Sequence, residues 1–134
     1  MKYNKNSHSA FSLQAHIIFV TKYRERKFTD DMLLTMEHII GRECQKLKSC
    51  LIEFNGESDH VHMIVSYPPS LSISRLVQVL KSITGREMKM HFPNLNQLAW
   101  RRNSFWSPSY FACSVGGAPL EVLKQYIQQQ DRPH

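Results

Sequence analysis

Ser58-Asp59-His60-Val61-His62-Met63-Ile64-Val65 reads as a β-strand, and the chain can be organised outward from it. Residues two apart on a strand point to one face, so His60 and His62 present two imidazoles to the same side of a sheet. Cys50 to Glu57 reads as the strand before it, Gly56 and Ser58 mark the turn between the two, and Pro68-Pro69 ends the hairpin. Upstream, Phe11 to Tyr23 alternates and is rich in β-formers, which predicts another strand. Thr29 then caps a helix with Asp30 and Asp31 in its first turn, where acidic groups meet the positive end of the dipole. The apolar stripe of that helix is Met32, Leu33, Met36, Ile39, Ile40 and Leu47. Downstream, Ser72 caps a second helix with Ile73, Leu76, Val77, Leu80 and Ile83 facing inward.

Ser109 to Val115 predicts a fourth strand, Gly116-Gly117 breaks it, and Pro119 stands near the first turn of a last helix, Leu120 to Asp131. The order β-α-β-β-α-β-α predicts an α+β, ferredoxin-like (split βαβ) antiparallel sheet with helices on one face, plus a C-terminal helix. At 134 residues the expectation is one domain, with residues 1–9 a loose polar tail and the last helix within 118–131.

Lys and Arg number 17 against 11 Asp and Glu, a net charge of +6 with a pI of about 9.4, which favours a polyanionic partner, most simply nucleic acid. Cys44, Cys50 and Cys113 match neither a zinc knuckle nor a CxxC pair, so free buried thiols in a reducing cytoplasm are expected. The apolar run Ile17 to Val20 is too short for a signal peptide, and no stretch approaches the ~20 apolar residues of a membrane span.

Several residues could carry chemistry. His60 and His62 are either metal ligands or polar residues on an exposed sheet face. On the last helix Tyr126 is either a nucleophile or a packing tyrosine. Gln129 and Gln130 follow it at spacings three and four, and spacing alone does not choose between them. Two imidazoles, an amide oxygen and a phenol suffice to cut a phosphodiester, through a metal site with open positions and a nucleophile beside it. Such mixed ligation suits Mg²⁺ or Mn²⁺. Asp59 either orients a ligating His or caps the turn. His16 reads as structural, and His8, His38, His91 and His134 as surface groups. Basic residues cluster at Lys22, Arg24, Arg26 and Lys27, at Lys81, Arg86 and Lys89, and at Arg101-Arg102, among Tyr23, Phe28, Trp100, Phe105, Trp106 and Tyr110. Lys and Arg neutralise phosphates and aromatics stack on unpaired bases. The bland alternative is a solvated charged face over core aromatics, expected in part for Trp106 and Phe111. Gly116-Gly117 is either a hinge for the last helix or a tight turn.

Taken together, His60-Val61-His62 followed by Tyr126-Ile127-x-x-Gln130 resembles the single-tyrosine HUH transposases, specifically the TnpA transposases of the insertion-sequence 200/605 group. Three further stretches are similar to that family: Phe19-Val20-Thr21-Lys22-Tyr23-Arg24, then Leu80-Lys81 with Arg86 before Phe92-Pro93, and Trp106-Ser107-Pro108-Ser109-Tyr110-Phe111 running into Val115-Gly116-Gly117. The resemblance spans about residues 11–131. It implies a homodimer whose sheets join, with composite active sites. His60, His62 and Gln130 are then metal ligands, the family's Gln standing four residues after its Tyr, and Tyr126 is the nucleophile. The implied substrate is single-stranded DNA bearing hairpins near the element ends, cleaved and rejoined through a 5′-phosphotyrosine. Lys81-Ser82-Ile83-Thr84-Gly85-Arg86 follows the family's Lys-Gly-Ser-rich pattern only loosely. Rival readings are a domesticated hairpin-binding relative, a metal hydrolase that uses water, and an RNA-binding module of the same topology, whose RNP1 pattern is absent from both central strands.

Overall fold

The computed structural model describes residues 4–5, 10–11, 13–24, 26, 28–93, 105–115 and 120–130. In chain order the elements are β1 (Asn4–Lys5), β2 (Ala10–Phe11), β3 (Gln14–Val20), α1 (Asp30–Lys46), β4 (Cys50–Gly56), β5 (His60–Ser66), α2 (Ile73–His91), β6 (Phe111–Ser114) and α3 (Leu120–Gln129). Four strands form an antiparallel sheet in the order β4-β5-β3-β6, with the chain crossing through α1 and α2 between its halves. This is the expected split βαβ arrangement. β1 and β2 pair with each other, so part of the N-terminal tail is strand.

Both helix starts follow from their caps. Thr29 accepts from the Met32 amide at 3.3 Å and Ser72 from the Arg75 amide at 3.1 Å, each satisfying a backbone donor that the first turn leaves without a partner. The helices pack on one face of the sheet. Ile17, Phe19, Val61, Met63 and Val65 are fully buried against Met36, Ile40, Leu76 and Leu80. Each such side chain contributes ~1.5–3 kcal/mol on leaving water. β4 carries a bulge between Leu51 and Glu53. Leu51 and Phe54 are three apart, and the bulge allows both to pack on the core side. The same shift aligns Glu53 with Ile64 and Asn55 with His62, placing the two polar residues on the other side.

That other face is formed by His16, Ile18 and Val20 of β3, His60, His62 and Ile64 of β5, and Phe111 and Cys113 of β6, which are register partners or alternate neighbours. α3 lies against it, with the Tyr126 and Phe111 ring centroids 5.3 Å apart.

The first and fourth strands differ from the sequence expectation, and Cys50, expected to be buried, is exposed because it opens the edge strand β4. The first long strand ends at Val20, and Lys22–Arg24 form a 3₁₀ turn in which Tyr23 (φ 59°) and Arg24 (φ 52°) are both left-handed. Thr21 bridges to Trp106, and the Arg24 amide returns to Thr21 O at 2.9 Å, which bends the chain out of the sheet. The fourth strand is Phe111–Ser114, shorter at both ends than expected. Lys27, Arg101, Arg102, Gly116 and Gly117 lie outside the described residues.

Candidate active site

β5 delivers His60 and His62 to one face, half-buried, opposite Val20 and Ile18 of β3. His60 Nδ1 lies 2.9 Å from Asp59 Oδ1. That contact leaves Nε2 as the ring atom free to bind something above the sheet. Asp59 is itself buried, and its other oxygen faces Arg24 Nε at 3.5 Å, an ion pair without hydrogen-bond geometry. Thr21 fixes the backbone here, donating from both its amide (2.9 Å) and its hydroxyl (3.1 Å) to Asp59 O. The two left-handed residues therefore aim Arg24 at the carboxylate that holds His60. Left-handed backbone in non-glycine residues costs ~1–3 kcal/mol apiece and clusters at functional positions.

Burial, and then the neighbouring His60, push the His62 imidazole below its ordinary value, with Glu53 and Glu57 opposing. His62 is thus neutral at pH 7, with a lone pair available. The pair fits a divalent cation: one imidazole oriented by a carboxylate, one held uncharged, both on the same side. Among the described residues no third His, Cys, Asp or Glu completes a cluster.

The C-terminal helix carries the amide and the phenol that the sequence singles out. Gln130 and Tyr126 lie one turn apart, as their spacing predicts, and Gln130 Nε2 donates back to Tyr126 O at 3.2 Å. Gln130 Oε1 accepts from Ser107 Oγ at 3.2 Å and from Ser109 Oγ at 2.9 Å. Ser109 Oγ also shares a 3.1 Å hydrogen bond with the Tyr126 hydroxyl. Burial raises the Tyr126 phenol above its ordinary value, with the Ser109 contact opposing. Among the described residues no hydrogen bond joins Tyr126 or Gln130 to either histidine. The helix does face His60 across a cavity of about 520 Å³, lined by Arg24, Arg26, Glu57, Asp59 and His60 on one side and by Lys124, Ile127 and Gln128 of α3 on the other.

A second, larger groove of about 850 Å³ runs along α2 and gathers Lys22, Lys81, Arg86 and Lys89 beside Trp106 and Pro108. The described basic residues expected to meet DNA thus divide between two places, Arg24 and Arg26 at the histidine cavity and Lys22, Lys81 and Arg86 in the groove. Lys81 spends its ammonium internally, donating to Ser107 O at 2.6 Å and Ser109 O at 2.9 Å, and burial lowers it to about 8. Trp106 is a core residue, as expected: it is buried, packs on Phe19, Phe28 and Phe105, and donates to Thr84 Oγ1 at 2.9 Å. His16 stands on the histidine face opposite Cys113, and His38 and His91 are exposed.

Sequence reading did not pick out Ser107, Ser109, Arg24 as the partner of Asp59, or Lys124. The signal for the serines was present, since both fall in Trp106-Ser107-Pro108-Ser109, but two serines in a loop carry no chemistry until their partners are known.

Comparison with known proteins gives the family. Residues 9–130 match the family model described as "Transposase IS200 like". The transposase for insertion sequence element IS200 from Salmonella typhimurium is 26% identical over 124 residues, covering 92% of this chain and 80% of that protein. The ISDra2 transposase TnpA of Deinococcus radiodurans is 27% identical over 120 residues, covering 90% and 85%. A candidate transposase from Deinococcus radiodurans R1, solved by crystallography, superposes with a TM-score of 0.84 at 26% identity over 96% of this chain and 98% of that one. A REP-associated tyrosine transposase bound to a REP hairpin shares the fold at 10% identity and a TM-score of 0.51, over 95% of this chain and 68% of that one. With a family match across nearly its whole length, this chain belongs to the IS200-like transposases.

Proposed function

We propose that this transposase cleaves and rejoins single-stranded DNA by tyrosine transesterification, with Tyr126 as nucleophile. The observation that carries the reading is the placement of the Tyr126 helix over the sheet face that presents His60 and His62. In the cleavage step Tyr126 Oη gives up its proton and attacks a backbone phosphorus. A tyrosyl O–P bond forms, the bond from phosphorus to the 3′-oxygen breaks, and that oxygen takes up a proton. The product is a 5′-phosphotyrosine and a free 3′-OH. Attack by another 3′-OH reverses the exchange and joins new ends without ATP, because one phosphoester replaces another.

His60, His62 and Gln130 would hold a Mg²⁺ or Mn²⁺ ion, whose charge would favour attack at the phosphate and departure of the 3′-oxygen. The residues of this chain have separate tasks. Asp59 and Arg24 orient His60, burial keeps His62 uncharged, and Lys124 with Arg26 supplies positive charge where a phosphodiester would enter the cavity. The raised phenol value means that Tyr126 is almost wholly protonated at pH 7, so it needs activation before attack. The hairpin carried by the REP-associated relative supports hairpin-bearing DNA as substrate, and the groove of Lys22, Lys81, Arg86 and Lys89 suits its backbone. A homodimer with composite sites and a cytoplasmic location complete the reading. Among the described residues no helix is long and apolar enough to cross a membrane.

The test uses Mg²⁺ or Mn²⁺ and 3′-labelled single-stranded DNA spanning the flanks of the gene. Label that migrates with protein in a denaturing gel, and is lost in Tyr126→Phe and in His60→Ala, is the expected result. Cut fragments without an adduct would identify a hydrolase. Hairpin binding without cutting would leave the domesticated, DNA-binding alternative.

A further inference from the structure

Lys81 sits on α2, remote in sequence from the tyrosine helix, yet two layers of hydrogen bonds connect them. Its Nζ donates to Ser107 O and Ser109 O, at 2.6 and 2.9 Å. The hydroxyls of those same serines hold Gln130 Oε1, and that of Ser109 also holds the Tyr126 hydroxyl. One ammonium therefore fixes the backbone of two residues whose side chains engage both functional groups of α3. The ammonium is also placed near the rings of Phe19 (5.7 Å) and Tyr110 (5.9 Å), half withdrawn from water. Placing a charge there costs free energy that a solvated lysine would not lose, and the two carbonyls and two ring faces offset it.

The chemical consequence lies at Gln130. An amide oxygen has two lone pairs, and both are occupied by serine hydroxyls. In this arrangement Oε1 cannot ligate a cation without giving up at least one of them. Tyr126, tied to Ser109 and partly buried, is likewise held as the protonated phenol.

We propose that Lys81 is a positioning residue which, through Ser107 and Ser109, stores Tyr126 and Gln130 in a docked, chemically silent arrangement that must open before the two groups act at His60 and His62. The storage part of the proposal rests on the function proposed above; the positioning part stands on the hydrogen bonds alone.

The experiment labels the full chain with 3-fluorotyrosine and follows the ¹⁹F resonance of Tyr126, assigned by its absence in Tyr126→Phe. Ser107→Ala/Ser109→Ala should move that resonance. Lys81→Met should move it to the same position, and Lys81→Arg should restore it at least in part, with the Tyr67 resonance unchanged throughout as a control for folding. A Tyr126 resonance that moves in the serine variant but stays in place in Lys81→Met would overturn the positioning role. Should Lys81→Met fail to fold, the Lys81→Arg resonance decides: the wild-type position supports the role of the cation, and the serine-variant position overturns it. Single-turnover adduct formation then tests storage. Ser107→Ala/Ser109→Ala should form the adduct several-fold faster than the wild type; a several-fold slower rate would show that the serine contacts are productive and overturn the storage idea. Absence of adduct in every protein, wild type included, would count against the proposed reaction, and the resonances would still decide the role of Lys81.

Discussion

On one face of the sheet Ile17, Phe19, Val61 and Met63 are fully buried against α1 and α2; one residue along in the same strands, the other face carries His16, Ile18, His60 and His62 beneath α3. The first face is held by shape and the removal of apolar surface. The second also buries Ile18 and Val20 but adds directed contacts: Asp59 on His60, Arg24 on Asp59, Ser107 and Ser109 on Gln130 and Tyr126. A packed apolar layer is hard to rearrange, whereas a helix tied by a few hydrogen bonds at its polar groups can be released. The period of two along β5 lets one strand bury its odd-numbered residues in the core and turn His60 and His62 to the other face.

The largest expected break in this comparison is Phe19→Ala, which should cost ~3–5 kcal/mol in chemical denaturation because the cavity it leaves cannot fully collapse. His62→Ala, on the neighbouring strand and opposite face, should cost about 1 kcal/mol or less. Equal losses would erase the distinction between the faces. Next in size, Asp59→Asn should weaken Mn²⁺ binding by ~10–100-fold, since it removes the charge that orients His60. Unaltered binding in a calorimetric titration would show that Asp59 serves the turn and not the ligand. In the wild type, protonation of His62 should weaken binding only below its ordinary range, because burial disfavours the charged imidazole.

Gly56→Ala sharpens the comparison at the hairpin that joins the faces. A Cβ there would stand 2.5 Å from Leu33 Cδ2 and 3.2 Å from Val61 Cγ1. Because the Leu33 methyl is the end of a flexible side chain, the cost should be ~1 kcal/mol, the low end for overpacking. Combining it with Leu33→Ala should give a non-additive double-mutant cycle, and strict additivity would place the strain elsewhere.

A further effect concerns Lys81. Its folded value of about 8 lies below the ordinary 10.5, so between those values the unfolded chain binds more protons than the native one. Stability contributed by this group therefore rises with pH across that window, and the cost of burying the charge is present in full below it. The wild type should gain stability relative to Lys81→Met as pH rises from 8 to 10.5, read by thermal unfolding of both proteins. A constant difference would mean that the ammonium is better solvated than its place between Phe19 and Tyr110 implies.

The frame of the fold was legible because its signals are local. Thr29 and Ser72 cap the helices they were expected to cap, the apolar stripe of α1 is buried at Met32, Met36, Ile39 and Ile40, and Gly56 marks the hairpin. The histidine pair was legible as a geometry, since two residues apart on a strand means one face. What sequence spacing did not reveal depends on contacts between distant segments. The 3₁₀ turn at Lys22–Arg24 exists because Thr21 is drawn to Asp59 and Trp106, 38 and 85 positions away. The bulge at Ile52 is visible only once Leu51 and Phe54 are known to share the core. Lys81 reads as one more surface cation until Ser107 and Ser109 are placed beside it, and the 2.9 Å contact of Asp59 with His60 does not follow from their being neighbours in sequence.

The most direct measurement is to map the covalent product. After incubation with Mn²⁺ and single-stranded DNA spanning the flanks of the gene, followed by nuclease and trypsin digestion, mass spectrometry should find the residual 5′-phosphonucleotide on the peptide that begins after Lys124, at Tyr126. A nucleotide on any other residue, or cleaved DNA with that peptide unmodified, would contradict the assignment of Tyr126 as the nucleophile.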